Sequence, residues 1–194
     1  MNKPQKDWSE YYDITKVKPP SKLLVKALEY VANKGKAIDI GGGALKDTKY
    51  LLKEGFDVTV IDNSLLMEQE AIVLESDKIH AFTTSFEDFD FPENEYDIAS
   101  AMFALPFTKP SHFSEVFGKI KNSLKKDGIF CGQFFGVHDA WSQNNKMTFH
   151  TEAQIRELLS GFEILSLIEV EEDGVTANGT PKHWHIFHVI AKKQ

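Results

Sequence analysis

Three glycines between two carboxylates are the residues best placed to do chemistry. Asp39-Ile40-Gly41-Gly42-Gly43-Ala44 ends an apolar run, and Asp62 follows 23 positions after Asp39. Glycines at a strand end let the backbone turn tightly and let a ligand approach it closely. An acidic side chain that closes the next strand can accept both hydroxyls of a ribose. The pair of signals points to a nucleoside-containing cofactor.

Neighbouring residues choose among such cofactors. The dinucleotide fingerprint needs a glycine at position 46, where Lys46 stands, and no Gly-Lys-Ser/Thr of a phosphate loop follows. Asp39 discriminates by charge. It would repel a pyrophosphate and attract an ammonium or a sulfonium. This favours S-adenosylmethionine over NAD.

The elements that must position these residues alternate between strand and helix. A helix is expected over 21–33 behind Pro19-Pro20, then a strand over 36–40. A second helix, capped by Asp47 and closed by Gly55, leads to a strand over 56–61. Further segments read as a helix over 65–75 and strands over 78–84 and 96–102. A helix capped by Ser111 and a turn at Asp127-Gly128 precede a strand over 129–137. Thr151 to Gln154 forms a capping box for a helix that ends at Gly161. Strands over 162–170 and 183–191 close the chain. Their polar connector, 171–182, is too short for a parallel crossover, so this pair is antiparallel. The expected fold is α/β and Rossmann-like. Its seven-stranded sheet is mostly parallel, with one antiparallel strand near the C-terminus and helices on both faces. Residues 1–194 form one domain, with residues 1–20 a candidate N-terminal lid.

Composition narrows the partners. Net charge is -7 and no basic run exceeds a Lys pair such as Lys125-Lys126, which argues against nucleic acid. No stretch approaches the ~18 apolar residues of a membrane span, and the N-terminus lacks a signal-peptide core, so a cytoplasmic location is expected. The single cysteine, Cys131, reads as a buried strand thiol. On a strand His183 and His185 share one face while His188 takes the other, leaving two same-face histidines without a third ligand nearby; no metal is expected.

Asp39 through Thr48 resembles motif I of the class I S-adenosylmethionine-dependent methyltransferases. Ile61-Asp62 is similar to their ribose-binding position, Ser85-Phe86-Glu87-Asp88 to the loop beside the adenine, and Tyr96 to Ala101 to their fourth strand. Leu124-Lys125-Lys126-Asp127-Gly128 resembles the turn before their fifth. Tyr11-Tyr12 and Leu105-Pro106-Phe107 resemble the small-molecule branch with the tellurite-resistance and thiopurine-type enzymes. Leu45 is a departure, since the family often has a third glycine there. The resemblance implies that Gly41, Gly42 and Gly43 pack against the methionine part of the cofactor and that Asp39 helps place its ammonium. It implies Asp62 on the ribose, Asn63 beside the adenine, Ser85 and Phe86 at its edge and face, and the Ala101 carbonyl as an acceptor for the ammonium. Tyr12 would close over the cofactor from the lid.

Methyl transfer from a sulfonium needs alignment and desolvation above all, and a base only if the acceptor must lose a proton. The acceptor is expected between residues 103–107 and 138–150, with His138 and His150 as candidate bases. The product would be S-adenosylhomocysteine. The competing readings are a cofactor-binding regulatory or inactive partner protein of the same fold and, less well supported, an NAD-linked oxidoreductase.

Overall fold

The computed structural model describes residues 9–194. Residues 1–8 of the candidate lid lie outside the described residues. The lid region continues as α1 (Ser9–Thr15), followed by α2 (Lys22–Ala27) and a short 3-10 turn at Leu28–Tyr30.

Four strands leave the N-terminal part of the chain side by side. They are β1 (Lys36–Ile40), β2 (Asp57–Asp62), β3 (Ile79–Thr83) and β4 (Tyr96–Ala101). Helices α3 (Lys46–Lys53) and α4 (Leu65–Val73) make the first two crossovers. Then come α5 (Pro110–Ser123), β5 (Leu124–Gly136), the two-residue β6 (Phe149–His150), α6 (Glu152–Leu158), β7 (Phe162–Val175) and β8 (Pro181–Lys193). The sheet runs β3-β2-β1-β4-β5-β8-β7, and β6 pairs with β5. β8 is antiparallel to both β5 and β7. The expected sheet is therefore present with its one reversed strand, and β6 makes an eighth.

Both faces of the sheet are apolar because parallel strands are covered on both sides. Ile38, Ile40, Ala99, Phe130 and Phe134 pack beneath Phe113, Phe117 and Ile120 of α5 and Ile155 of α6. Ala37, Val58, Ile98, Ile129 and Cys131 pack against Leu24 and Ala27 of α2 and Leu51 of α3. Cys131 is fully buried, and burial pushes its thiol well above the usual range, so it is a packing residue. Residues 84–95 join β3 to β4 without a helix, leaving a groove of about 830 Å³ lined by Thr59, His80, Phe82 and Phe89. This groove is on the far edge of the sheet from β5 and β8.

Several element boundaries differ from expectation. α3 starts one residue before Asp47, behind Leu45, which adopts φ 60 and ψ 20. Asp47 does not cap it; its carboxylate accepts from the Ser21 backbone N–H (2.6 Å), the Ser21 hydroxyl (2.7 Å) and Lys46 Nζ (2.8 Å). That ties the start of α2 to α3. Ser111 lies inside α5, whose N-cap is Lys109 with Pro110 in the first turn. The Asp127-Gly128 turn is a bulge within β5, with Asp127 at φ 63 and the pairing register shifting after Tyr96. The Thr151 capping box is present as expected. The connector 171–182 is mostly strand: β7 and β8 pair from Phe162↔Lys193 to Val175↔Pro181, and only residues 176–180 form the turn.

One buried ion pair pins this hairpin to the loop after β5. Lys182 Nζ meets Asp139 Oδ1 and Oδ2 at 2.6 and 2.5 Å, with both side chains almost wholly buried. Asp139 also accepts from the backbone N–H groups of Trp141 (3.0 Å) and His185 (3.3 Å). The ammonium lies 3.5, 4.3 and 4.8 Å from the ring centres of Trp184, Trp141 and Phe135. Removing one partner strands a buried charge, which costs about 3–5 kcal/mol. Lys182→Met is expected to lower stability by that order in urea unfolding, and the double change Lys182→Met/Asp139→Leu to restore a large part of it.

Candidate functional site

The loop leaving β1 is shaped by the end of β2. The backbone N–H groups of Gly41 and Gly42 both donate to the Ile61 carbonyl, at 2.8 and 3.2 Å. The Gly43 N–H donates to Asp62 Oδ2 at 3.0 Å, and Asp62 Oδ1 accepts from the Ser64 N–H at 2.9 Å. Gly41 and Gly43 have φ of 73 and 49, where a side chain is strained. At Gly41 a Cβ would stand 2.5 Å from the Ala104 Cβ, and at Gly42 it would collide with Val60. At Gly43 it would meet nothing nearer than the Gly41 carbonyl at 3.9 Å, so the loop's backbone is open on that side.

Asp62 is only half-buried. Burial raises its carboxyl above the usual range, against the backbone donors of Gly43 and Ser64. The backbone N–H groups of Gly43, Ser64 and Asn63 all act on its two oxygens, whose roughly four lone-pair sites leave capacity for a further donor. Asn63 beside it is exposed.

Asp39 lies deeper, 2 % exposed, behind the loop. Its Oδ2 accepts from the Thr48 hydroxyl at 2.6 Å and stands 3.4 Å from the position of a Cβ on Gly42. Burial, and then the charge of Asp47, push its carboxyl up to about 7.

The remaining expected residues are distributed around this loop unequally. Phe86 reaches it, with Cζ 3.4 Å from the Cβ position of Gly41. The Ser85 hydroxyl is engaged locally, donating to Asp88 Oδ2 at 2.7 Å and accepting from the Asp88 N–H at 3.2 Å. The Ala101 carbonyl is directed across the ladder at β5, 2.8 Å from where a Cβ on Gly132 would stand. Tyr12 of α1 is buried in a cluster with Ala44, Leu45, Val60, Met67 and Ala71. Beside it a cleft of about 200 Å³ runs between α1 and α4, lined by Tyr12, Ala44 and Leu66.

Neither candidate histidine faces the loop in an open site. His150 is buried between the rings of Phe113 (4.6 Å) and Phe134 (5.6 Å). Its Nδ1 has no hydrogen-bond partner among the described residues, and burial lowers it to about 4. His138 is exposed and its Nδ1 lies 3.2 Å from Glu171.

The two segments expected to face the acceptor, 103–107 and 138–150, meet in an aromatic wall beyond β4, to which Phe135 and Trp184 add a side that sequence reading missed. Phe103, at φ 55, contacts Phe135 (6.2 Å) and Trp184 (6.1 Å), and Phe107 contacts Trp141 (6.5 Å). The buried Gln133 side chain accepts from the Phe103 N–H at 3.0 Å and holds that strained turn. Phe103 and Phe107 remain about two-fifths exposed, at 37 and 41 %. The alternation of Lys182, Trp184 and Ile186 against His183 and His185 was the available signal for the wall's β8 side.

Residues 37–128 match the methyltransferase domain family. No curated protein sequence matches the chain. Among solved structures, TehB from Haemophilus influenzae superposes with a TM-score of 0.77 at 17% identity, covering 96% of this chain; the chain spans 66% of that one. A 1,6-didemethyltoxoflavin-N1-methyltransferase from Burkholderia thailandensis, with bound 1,6-didemethyltoxoflavin and S-adenosylhomocysteine, superposes at 0.69 and 17% identity, covering 100% of this chain and 93% of its own. An S-adenosylmethionine-dependent methyltransferase from Methanosarcina mazei gives 0.66 at 18% identity, covering 86% and 96%. At these identities the likeness is one of fold, and the fold is that of the S-adenosylmethionine-dependent methyltransferases.

The raised Asp39 carboxyl has a thermodynamic consequence. The folded chain holds this proton up to about pH 7, while the unfolded chain releases it near 3.8. Between those values the folded state binds more protons, so this group's contribution to stability falls as pH rises and levels off above about 7. Asp39→Asn is expected to gain stability relative to the parent from pH 5 to pH 8, measured by urea unfolding at both. An unchanged difference between the two pH values would refute the raised carboxyl.

Proposed function

On the premise that residues 37–128 form a methyltransferase domain, we propose that the chain transfers a methyl group from S-adenosylmethionine to a small-molecule acceptor. The observation that carries the reading is the loop held between Gly43 and Asp62. It offers an open backbone surface beside a half-buried carboxylate with acceptor capacity to spare.

In this reading Asp62 accepts the ribose hydroxyls, Asn63 flanks the adenine and Gly41 to Gly43 line the methionine part. Phe86 closes the loop from the other side, and Ser85 acts through the turn it makes with Asp88. Tyr12 packs the lid helix onto the loop's far end. Asp39 supplies negative charge from behind Gly42 and not by direct contact. A cationic ligand in front of it favours its ionised form, so binding is accompanied by proton release at neutral pH. Ala101 contributes through β4, which sets the depth of the site.

The cofactor supplies a sulfonium leaving group for an in-line displacement. The protein's part is alignment in a water-poor site. The aromatic wall of Phe103, Phe107, Trp141 and Trp184 suits a flat acceptor. Lys182 and Asp139 behind it neutralise each other, so the wall presents no net charge. The Burkholderia structure, with 1,6-didemethyltoxoflavin and S-adenosylhomocysteine bound, is a neighbour of the same fold that holds a small molecule. His150 is enclosed by phenylalanines, and His138 faces Glu171, so neither is assigned a base role. Among the described residues no helix is long and apolar enough to cross a membrane; with the acidic charge, this supports a cytoplasmic enzyme whose partner is a small molecule and not nucleic acid.

The test is thermal unfolding with S-adenosylmethionine, S-adenosylhomocysteine and NAD. Ligand at about 100-fold its dissociation constant adds ~2.7 kcal/mol, a shift of several degrees. Both adenosyl compounds are expected to give it and NAD to give none. Asp62→Ala is expected to abolish the shift; equal affinity in variant and parent would sink the site assignment. Binding without methyl transfer to any flat heteroaromatic acceptor would favour a regulatory or inactive partner.

A further inference from the structure

Three histidines and three carboxylates meet on one face of the β7–β8 hairpin, on the side opposite Trp184. Pairing places Glu171 directly across from His185 and Asp173 across from His183, with Glu169 one rung below. His138, from the loop after β5, adds the group that the sequence could not bring to His185. Ligand atoms of His138, Glu171 and His185 all lie within 4.8 Å of one another. His138 Nδ1 and Glu171 Oε2 are 3.2 Å apart. Two donors on one tetrahedral ion, each at about 2.0–2.1 Å, stand roughly that far apart.

His185 is held firmly. It is 2 % exposed, stacked on His138 at 4.9 Å, and its ring lies against Gly136, where any Cβ would collide with it. Its Nδ1 accepts from the His138 backbone N–H at 3.1 Å, so Nε2 is the atom turned outward, 2.8 Å from Glu169 Oε1. The other groups facing the cluster are Asp173 and His183: His183 Nδ1 lies 2.8 Å from Asp173 Oδ1, and its Nε2 lies 3.3 Å from Glu171 Oε1, the oxygen that His138 does not engage.

We propose that His138, Glu171 and His185 bind a divalent transition-metal ion, zinc(II) being the type that two imidazoles and a carboxylate select, with water completing its coordination. The ion takes the place of the His185 Nε2 proton, which passes to solvent. It cross-links the loop after β5 to both strands of the hairpin, and so fixes the segment that carries Asp139 and Trp141. This site is independent of the cofactor reading, because none of its residues belongs to the glycine loop or the aromatic wall.

The experiment is calorimetric titration of the full chain with zinc(II), repeated in buffers of different ionisation enthalpy, with cobalt(II) absorption as a second readout of tetrahedral coordination. One ion per chain is expected, with proton release and a tetrahedral cobalt(II) spectrum that zinc(II) displaces. His138→Ala and Glu171→Gln, both at exposed positions, are expected to weaken binding by more than roughly tenfold. His112→Ala, an exposed histidine on α5, is expected to leave it unchanged. S-Adenosylmethionine affinity should be the same in all three. Absence of saturable binding, or equal affinity in the parent, His138→Ala and Glu171→Gln, overturns the proposal.

Discussion

Ile61 and Asp62 grip the loop leaving β1 with three backbone donors: Gly41 and Gly42 on the Ile61 carbonyl, and Gly43 on the Asp62 carboxylate. Much of the carboxyl edge of the sheet takes its position from that grip. It requires β1 and β2 to be parallel and in register, with Ile40 opposite Ile61. It also requires positions 41 and 42 to lack side chains, because Ala104 and Val60 already fill the space. The loop then turns into α3 through Leu45. A fully buried leucine in a left-handed conformation costs on the order of 1–2 kcal/mol of backbone strain. Packing with Tyr12, Val60 and Met67 keeps it there, so Leu45 couples α1 to the loop.

Much of the fold was legible because local signals and global topology agree. Glycine breaks, Thr151 with Gln154, and short apolar runs each mark an element that exists. Apart from the α5 cap, moved two residues upstream by Pro110, the main errors occur where a partner distant in sequence decides. Asp47 looks like a cap until Ser21 takes its carboxylate. Glu171 and Asp173 belong to what looks like a polar connector until β8 supplies His185 and His183 opposite them. Alternation at period two was present in that acidic stretch, but polar residues on both faces hid it. Of the candidate site, the sequence marked the glycine loop and the strand-end Asp62 as neighbours, and their backbone contact is present. It could not show that Thr48 and Asp88 would engage Asp39 and Ser85, because those contacts depend on how the loops fold back.

The two faces of the β7–β8 hairpin divide labour by simple alternation. Lys182 and Trp184 point to the aromatic wall, while His183 and His185 point to the carboxylate ladder. A single strand therefore joins an apolar surface to a ligand-rich one, and the loop through His138, Asp139 and Trp141 touches both.

The Lys182–Asp139 pair limits how such a protein can diversify. Either residue can change only through an intermediate that leaves a charge buried among aromatic rings, so the two are bound to drift together or not at all. Phe103 and Phe107 carry no such obligation, being partly exposed and uncharged. Substitutions should therefore collect at the rim of the wall while its ionic centre stays frozen, and the paired positions should change far more slowly than the aromatic rim around them.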